Sequence, residues 1–507
     1  MNKLKTVRIA VQTTVFLFAA ISLFLLSFPV KFIETKEIFL TSPSLLFSAF
    51  IAAQYITAGI IILAVFVVLA LLLGRVFCGW LCPYGAVMDF FAFLCRPFRK
   101  WRESAPSKGL MSKYYMLLGF FVFAVLGFQF VWIFEPITIF SRFINLSFFP
   151  FINTITDNFF QYMIINHNFG EGIYNSLRNN IFASRSITFK YQFIFFLLFI
   201  IPVFAVLFKR RFWCRYICPL GACLGLLSIK PKFLLRKEAC CLNCGKCEQM
   251  CRSNAIRRDG SYIPSECVMC MDCTTLKCGV WSLKCGVKDK KAVNSTLQTP
   301  NSKQHYKGIT RKEFLFWGGG VLAAIYMMGR KAYGAGKRIK NPVIRPPGAM
   351  TEKEFKEACV RCGNCMKVCI TNGLQPVMLE SGIDGVWTPK MDNIIGYCEY
   401  SCNACGRVCP TQAIKALPME EKMLQKIGNA VIIKEKCVPW KDGVECLVCE
   451  EHCPVPDKAI KFEKEIVNGI EVDVPVVDFH LCIGCGVCEN KCPVEGRARG
   501  IVVSPLG

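Results

Sequence analysis

The chain has 507 residues, a formal charge of +25 and 32 cysteines, too long for one ordinary domain. Its Lys and Arg residues gather beside hydrophobic stretches, where anionic lipid and the positive-inside bias explain them better than nucleic acid does. Most cysteines fall in tight C-x2-C-x2-C runs, which argues against a disulfide scaffold and for thiolate ligation of metal.

The first half reads as membrane. Four stretches, approximately 9–30, 50–74, 114–134 and 190–208, carry the ~20 apolar residues that a spanning helix needs. Lys3, Lys5 and Arg8 precede the first, and Arg75, Arg96, Arg99, Lys100, Arg102 and Lys108 follow the second. Lys209, Arg210 and Arg211 follow the fourth. These basic ends place the N-terminus and both loops in the cytoplasm. The connection 136–189, rich in Phe and Ile but broken by Pro136, Pro150 and Gly170, predicts helices lying on the outer surface. The four histidines, His167, His305, His452 and His480, all lie outside the spans. With no C-x-x-C-H either, neither b-type nor c-type haem is expected. No flavin or nucleotide motif is visible.

A short repeat closes spans two and four. Arg75-Val76-Phe77-Cys78 leads through three residues to Cys82-Pro83-Tyr84-Gly85-Ala86. Arg211-Phe212-Trp213-Cys214 leads likewise to Cys218-Pro219-Leu220-Gly221-Ala222. Repetition at matching places in two helix pairs predicts a pseudo-symmetric bundle that brings four thiols to one face. Free cysteine is often simply buried, but mere burial does not account for the copied Arg, Pro, Gly and Ala. A redox pair, metal ligands and the wall of a quinone site all remain open as roles.

Next come Cys241-x2-Cys244-x2-Cys247-x3-Cys251 and Cys267-x2-Cys270-x2-Cys273-x4-Cys278. In two-cluster ferredoxins three close cysteines hold one [4Fe–4S] cluster and the fourth holds the other. That rule assigns Cys241, Cys244, Cys247 and Cys278 to one site, and Cys267, Cys270, Cys273 and Cys251 to the second. Cys240 and Cys285 compete for these positions. Zinc sites favour separated cysteine pairs rather than such triplets.

Residues 287–310 read as a polar linker. The run Thr310-Arg311-Lys312-Glu313-Phe314-Leu315 opens an apolar segment, 311–335, that looks like a twin-arginine export signal; its apolar part, about 16 residues, is short for a span. Four more runs follow. By the same exchange rule Cys359, Cys362, Cys365 and Cys409 form one site, with Cys398, Cys402, Cys405 and Cys369 the next. Cys437, Cys446, Cys449 and Cys492 form a third, and Cys482, Cys485, Cys488 and Cys453 a fourth. Proline after Cys409, Cys453 and Cys492 fits the bacterial ferredoxin signature. The eight-residue gap after Cys437 departs from it.

The expected architecture is an α-helical membrane bundle plus α+β bacterial-ferredoxin-like modules. Its parts are a bundle (1–235), a cytoplasmic two-cluster module (236–286), the linker, the signal-like helix, and an extracytoplasmic four-cluster domain (336–507). Residues 1–285, with Cys78/Cys82 and Cys214/Cys218, resemble NapH, a four-span membrane ferredoxin. Residues 310–507 resemble the exported ferredoxin-type proteins NapG and MauM, so the chain looks like a fusion of the two types. The segment from Cys359 to Ala416 looks closer to general exported ferredoxins. The resemblance implies a multi-pass protein of the bacterial inner membrane carrying six [4Fe–4S] clusters. It would oxidise quinol from the membrane pool and feed an extracytoplasmic reductase or electron carrier. The competing class is a maturation factor that reduces copper or clusters in a metalloenzyme. Factors of that type lack the four-cluster tail.

Overall fold

The computed structural model describes residues 3–26, 59–98, 110–125, 129–180, 187–229, 231–237, 245–256, 262–275, 281–285, 343–494, 496 and 499–506. The linker 287–310, the signal-like segment 311–335 and Cys240, Cys241, Cys244 and Cys278 lie outside the described residues.

The first half is helical. Helix α1 (Lys3–Phe24) contains, among the described residues, the one stretch long and apolar enough to cross a membrane. The other predicted spans appear as shorter apolar helices, α2 (Gly59–Leu73), α5 (Ser112–Val125) and α10 (Gln192–Phe204). After α2 the chain turns through α3 (Val76–Trp80) into α4 (Pro83–Leu94). After α10 it turns through α11 (Phe212–Tyr216) into α12 (Pro219–Leu227).

Helices α4 and α12 start in the same way because their sequences start in the same way. Pro at the first helical position is pre-set for the helix and lacks only an N–H that had no partner there. The preceding Cys82 and Cys218 cap the helices, their sulfurs accepting from Gly85 N at 3.4 Å and Gly221 N at 3.2 Å. Both glycines are forced by crowding. A Cβ on Gly85 would sit 2.9 Å from the Cys78 carbonyl oxygen, and one on Gly221 would sit 2.7 Å from Arg75 Nη2.

Between α5 and α10 run α6 (Val131–Phe134), α7 (Pro136–Phe143), a π-helical turn (Ile144–Phe148), α8 (Phe149–His167) and α9 (Glu171–Asn180). In α8 and α9 the apolar side chains Phe151, Phe159, Ile165 and Ile173 are exposed. Helix α7 is instead buried against α4 and α10, and Glu135 caps it from inside, accepting from Ile137 N at 2.7 Å and Thr138 N at 2.9 Å.

Two small modules flank this bundle. The first pairs β1 (Phe233–Lys237) antiparallel with β2 (Trp281–Cys285) around α13 (Lys246–Met250). The second holds α14 (Glu352–Ala358), α15 (Asn364–Lys367), β3 (Leu374–Pro376), β4 (Pro389–Met391), α16 (Ala404–Arg407) and α17 (Met419–Leu424). It continues with β5 (Gly428–Ile432), α18 (Val438–Asp442), α19 (Val448–Glu451), β6 (Ile460–Val467), β7 (Ile470–Val477), α20 (Val487–Lys491) and β8 (Ile501–Pro505). Strands β3–β4, β5–β8 and β6–β7 form three antiparallel pairs. The β6–β7 hairpin turns on Asn468-Gly469, both at positive φ, as a two-residue turn matched to strand twist requires.

The modules meet opposite ends of α1. At its start Lys5 pairs with Asp272 of the first module at 3.8 Å, and Arg8 with Asp89 of α4 at 3.6 Å. At its end Lys367 of the second module donates to the carbonyls of Leu23 and Phe24. Arg8 and Leu23 are separated by roughly 22 Å of helix at 1.5 Å per residue.

Candidate iron–sulfur centres

In the second module the short helices α15 and α16 pack together, as do α19 and α20, and each carries cysteines of a run. Cys359, Cys362, Cys365 and Cys409 line one cavity, site 1. Cys398, Cys402, Cys405 and Cys369 lie within electrostatic reach of one another as site 2. Cys453, Cys482, Cys485 and Cys488 line site 3, and Cys437, Cys446, Cys449 and Cys492 line site 4. Each cavity mixes thiols with apolar side chains and prolines. Backbone amides point at the sulfurs, with Ile414 N donating to Cys409 Sγ at 3.5 Å and Ala430 N to Cys482 Sγ at 3.4 Å.

The sites follow one another in space. Cys365 of site 1 lies within electrostatic reach of Cys405 of site 2. The Cys398 amide of site 2 donates to the Cys485 carbonyl of site 3 at 2.8 Å. Cys488 of site 3 is within reach of Cys449 of site 4. Site 1 is the one held against the bundle: Ser141 Oγ donates to the Cys362 carbonyl at 3.0 Å, and Asn145 Nδ2 to Asn364 Oδ1 at 2.8 Å. Gly363 has φ +84°, and a Cβ there would meet Leu146 at 2.9 Å, so the loop carrying Cys362 sits flush on the π turn.

The four thiols of sites 1, 3 and 4 surround a cavity instead of converging on a point. Among the described residues no three Cys, His, Asp or Glu side chains come close enough to hold one ion. A cubane spreads its ligands over four corners, which suits thiols that line a cavity. Burial pushes the thiols of Cys398 and Cys437 up to about 11 and those of Cys449 and Cys485 up to about 12. Metal loading must therefore release protons.

In the first module Cys251, Cys267, Cys270 and Cys273 are buried together. Amides again face sulfur, Ala255 N to Cys251 Sγ at 3.2 Å and Met269 N to Cys267 Sγ at 3.4 Å. Of the companion set only Cys247 is described, so Cys241, Cys244 and Cys278 have no geometry to report.

The repeated cysteines Cys78, Cys82, Cys214 and Cys218 are buried in one hydrophobic cluster with Tyr84, Trp213 and Cys270 of the first module. Their copies interlock. Arg75 of the first donates to the Cys214 carbonyl of the second at 3.1 Å, and Arg211 of the second donates to the Cys78 carbonyl of the first at 2.9 Å. Each arginine then has an acid: Arg75 meets Glu266 at 3.4 Å, and Arg211 grips Asp89 with two bonds of 2.9 and 2.6 Å. Arg252 of the first module also reaches Asp89, at 3.0 Å. Burial raises the Asp89 carboxyl, but Arg211, Arg252 and Arg8 outweigh it and hold it well below the usual carboxylate range.

Sequence reasoning passed over Asp89, Glu135, Glu266 and Lys367. The first two had a usable signal, a single acid within an apolar run, which marks a paired or functional group when buried. Glu266 and Lys367 had none, since each sits in or beside a cysteine run and not in a long apolar stretch.

A family model described as a 4Fe-4S binding domain matches residues 55–102 and 192–238, covering both copies of the repeat; a second of the same description matches residues 475–496. The chain is 31% identical to the methylamine utilization ferredoxin-type protein MauM of Methylophilus methylotrophus, over 39% of this chain and 84% of that protein. It belongs to the MauM ferredoxin-type family. It is also 36% identical to the ferredoxin-type protein NapG of Escherichia coli, over 24% of this chain and 52% of NapG. The putative electron transport protein YccM of the same organism is 27% identical, over 43% of this chain and 52% of YccM. No solved structure matches the chain. Like MauM, then, this is a ferredoxin-type chain, and its relatives point to iron–sulfur electron transfer.

Proposed function

We propose that this chain is a membrane-bound electron conduit: it takes electrons from quinol at the helical bundle and delivers them to an acceptor outside the cytoplasm. The docking of the two cysteine-rich modules at opposite ends of α1 carries this reading. A helix of 22 residues with a basic start supports a cytoplasmic first module and an extracytoplasmic second one. Six sets of four cysteines would hold six [4Fe–4S] clusters, each supplying a one-electron carrier of tunable potential. The protein's own part is to hold the thiols, exclude water from them and keep neighbouring sites in contact. In this reading residues 1–235 are the NapH-like half, 336–507 the NapG- and MauM-like half, and 311–335 the export segment joining them.

The topology has a direct test. Alkaline phosphatase fused after Gly507 should be active, and the same enzyme fused after Val287 should be silent. The reverse pattern would overturn the conduit. Anaerobically purified protein should carry roughly two dozen irons with matching sulfide; eight irons with bound zinc would refute the six-site allocation.

The repeat is proposed as the intake, where Cys78, Cys82, Cys214 and Cys218 wall a quinol site beside Cys270. A second reading is favoured by the 4Fe-4S binding domain match over both copies: the four thiols hold a further cluster. The double variant Cys82→Ser/Cys218→Ser separates the two. Intact iron content with lost reduction by a quinol analogue supports the intake; loss of about four irons supports ligation.

A further inference from the structure

The order of the four sites leaves site 4 farthest along the path from the bundle, and the chain treats that site differently from the others. Only its run carries the long gap between first and second cysteines, Cys437 to Cys446. The extra residues form α18 and the loop 443–447, which lean on the tip of the β6–β7 hairpin. Asn468 Nδ2 donates to the Lys441 carbonyl at 3.1 Å, and Trp440 Nε1 to the Pro475 carbonyl at 3.1 Å. Insertion and hairpin thus make one platform around Cys437 and Cys446, which are both half-buried.

The platform combines apolar and acidic exposure. Val444, Leu447, Ile466 and Ile470 are between 47% and 77% exposed. Residues 441–473 carry nine carboxylates against four lysines, in a chain whose net charge is +25. Three of those lysines are already engaged within the platform, Lys441 with Asp442, Lys458 with Glu450 and Lys464 with Glu471. Glu445 stands next to the ligand position Cys446, and Glu451 two residues before Cys453. A net-acidic surface with exposed apolar side chains at the end of a redox path matches a protein with a basic surface.

We infer that the platform formed by residues 438–458 and the β6–β7 hairpin docks a one-electron carrier protein whose redox centre is ringed by basic side chains. This rests on the conduit reading for its direction of flow. One electron leaves the reduced group at site 4 and reduces the carrier by one electron; no atom is transferred.

The experiment bypasses quinol, so failure of the intake cannot be mistaken for failure of the platform. Full-length protein is reduced with titanium(III) citrate, freed of reductant, and mixed with ferric mitochondrial-type cytochrome c, a basic one-electron probe. Complex formation is followed in parallel by titration calorimetry with the oxidised protein. The variant Glu445→Lys/Glu451→Lys should slow cytochrome reduction about tenfold at low salt and weaken binding, with the difference fading at high salt. The control Glu420→Lys/Glu421→Lys, with the same charge change on α17 beside site 2, should leave both readouts unchanged. Iron content and cluster spectra of both variants must equal those of the parent. An unaffected platform variant overturns the inference, and so does a slowed control, which would move the exit to site 2.

Discussion

The two modules grip the bundle with different chemistry. At the first the grip is ionic: Arg75 and Lys113 of the bundle close on Glu266 and Lys5 on Asp272, while Arg252 of the module closes on Asp89 of the bundle. At the second, hydrogen bonds dominate and run both ways: Ser141 and Asn145 of the bundle donate to the Cys362 carbonyl and Asn364, while the module donates to the bundle's carbonyls. Arg361 donates to the Gln129 carbonyl at 2.8 Å, Asn372 to that of Thr188 at 2.8 Å, and Lys367 to the end of α1. Lys190 with Asp392 is an ion pair at this interface, and its lysine is half exposed. The difference follows from the bundle's own polarity. Its basic residues lie at one end, where an incoming domain must bring acid. The other end offers the last carbonyls of α1 and the loop carbonyls of Gln129 and Thr188, which attract donors and cations.

The contrast predicts unequal sensitivity. Replacing Glu266 with Leu strands Arg75 and Lys113, both essentially unexposed, and breaking a buried pair in that way costs about 3–5 kcal/mol. Thermal unfolding should shift accordingly, and iron of the first module should be lost while that of the second remains. A shift too small to measure would break the comparison.

Lys367→Met tests the second interface. Lys367 loses its carbonyl partners and its place over the Phe149 ring, 4.0 Å from the centroid, but Met refills much of the space. The cost should be about 1–2 kcal/mol, read as faster proteolytic separation of the second module from the bundle. Desolvation lowers the Lys367 ammonium pKa, so the folded state binds its proton less readily than the unfolded chain. This contribution therefore grows as pH rises toward the ordinary lysine range. Ser141→Ala, which deletes one neutral bond to the Cys362 carbonyl, should cost the least, about 1 kcal/mol. An effect as large as that of Glu266→Leu would show that site 1 depends on this contact more than the comparison allows.

Where the modules should agree is in acid–base behaviour. Burial pushes Cys267 up to about 11 and Cys270 up to about 12 in the first, much as it pushes Cys398 and Cys485 in the second. Empty sites are therefore protonated at neutral pH, and iron uptake by stripped protein should be greater at pH 9 than at pH 7 in both modules. The stability of the stripped modules has the opposite sign. The folded thiols hold protons that the unfolded chain releases near 9, so this contribution is full below that pH and is lost as pH rises through 11 to 12. Iron assays and denaturant midpoints across that range check both signs.

Which cysteines gather was legible because a C-x2-C-x2-C turn is local: three sulfurs are aimed by one loop and the helix that follows it. The repeat was legible for the same reason, its Cys-Pro start being a helix cap written in adjacent residues. Extended apolar runs marked α1, α2, α5 and α10, but the same signal misplaced α7, since nothing nearby in sequence reveals that it packs against α4 and α10 or that Arg142 lies over Trp387 of the second module. The succession of sites 1 to 4 was not readable either. It rests on contacts such as Cys398 with Cys485 and Ser141 with Cys362, far apart in the chain. Local spacing determined the close cysteines of each run, because thiols near in sequence cannot avoid meeting, while the fourth of each site, such as Cys409 or Cys492, arrives from a distant run. Only tertiary packing decided which site touches the bundle and which faces outward, because that choice is made by long-range burial and charge pairing.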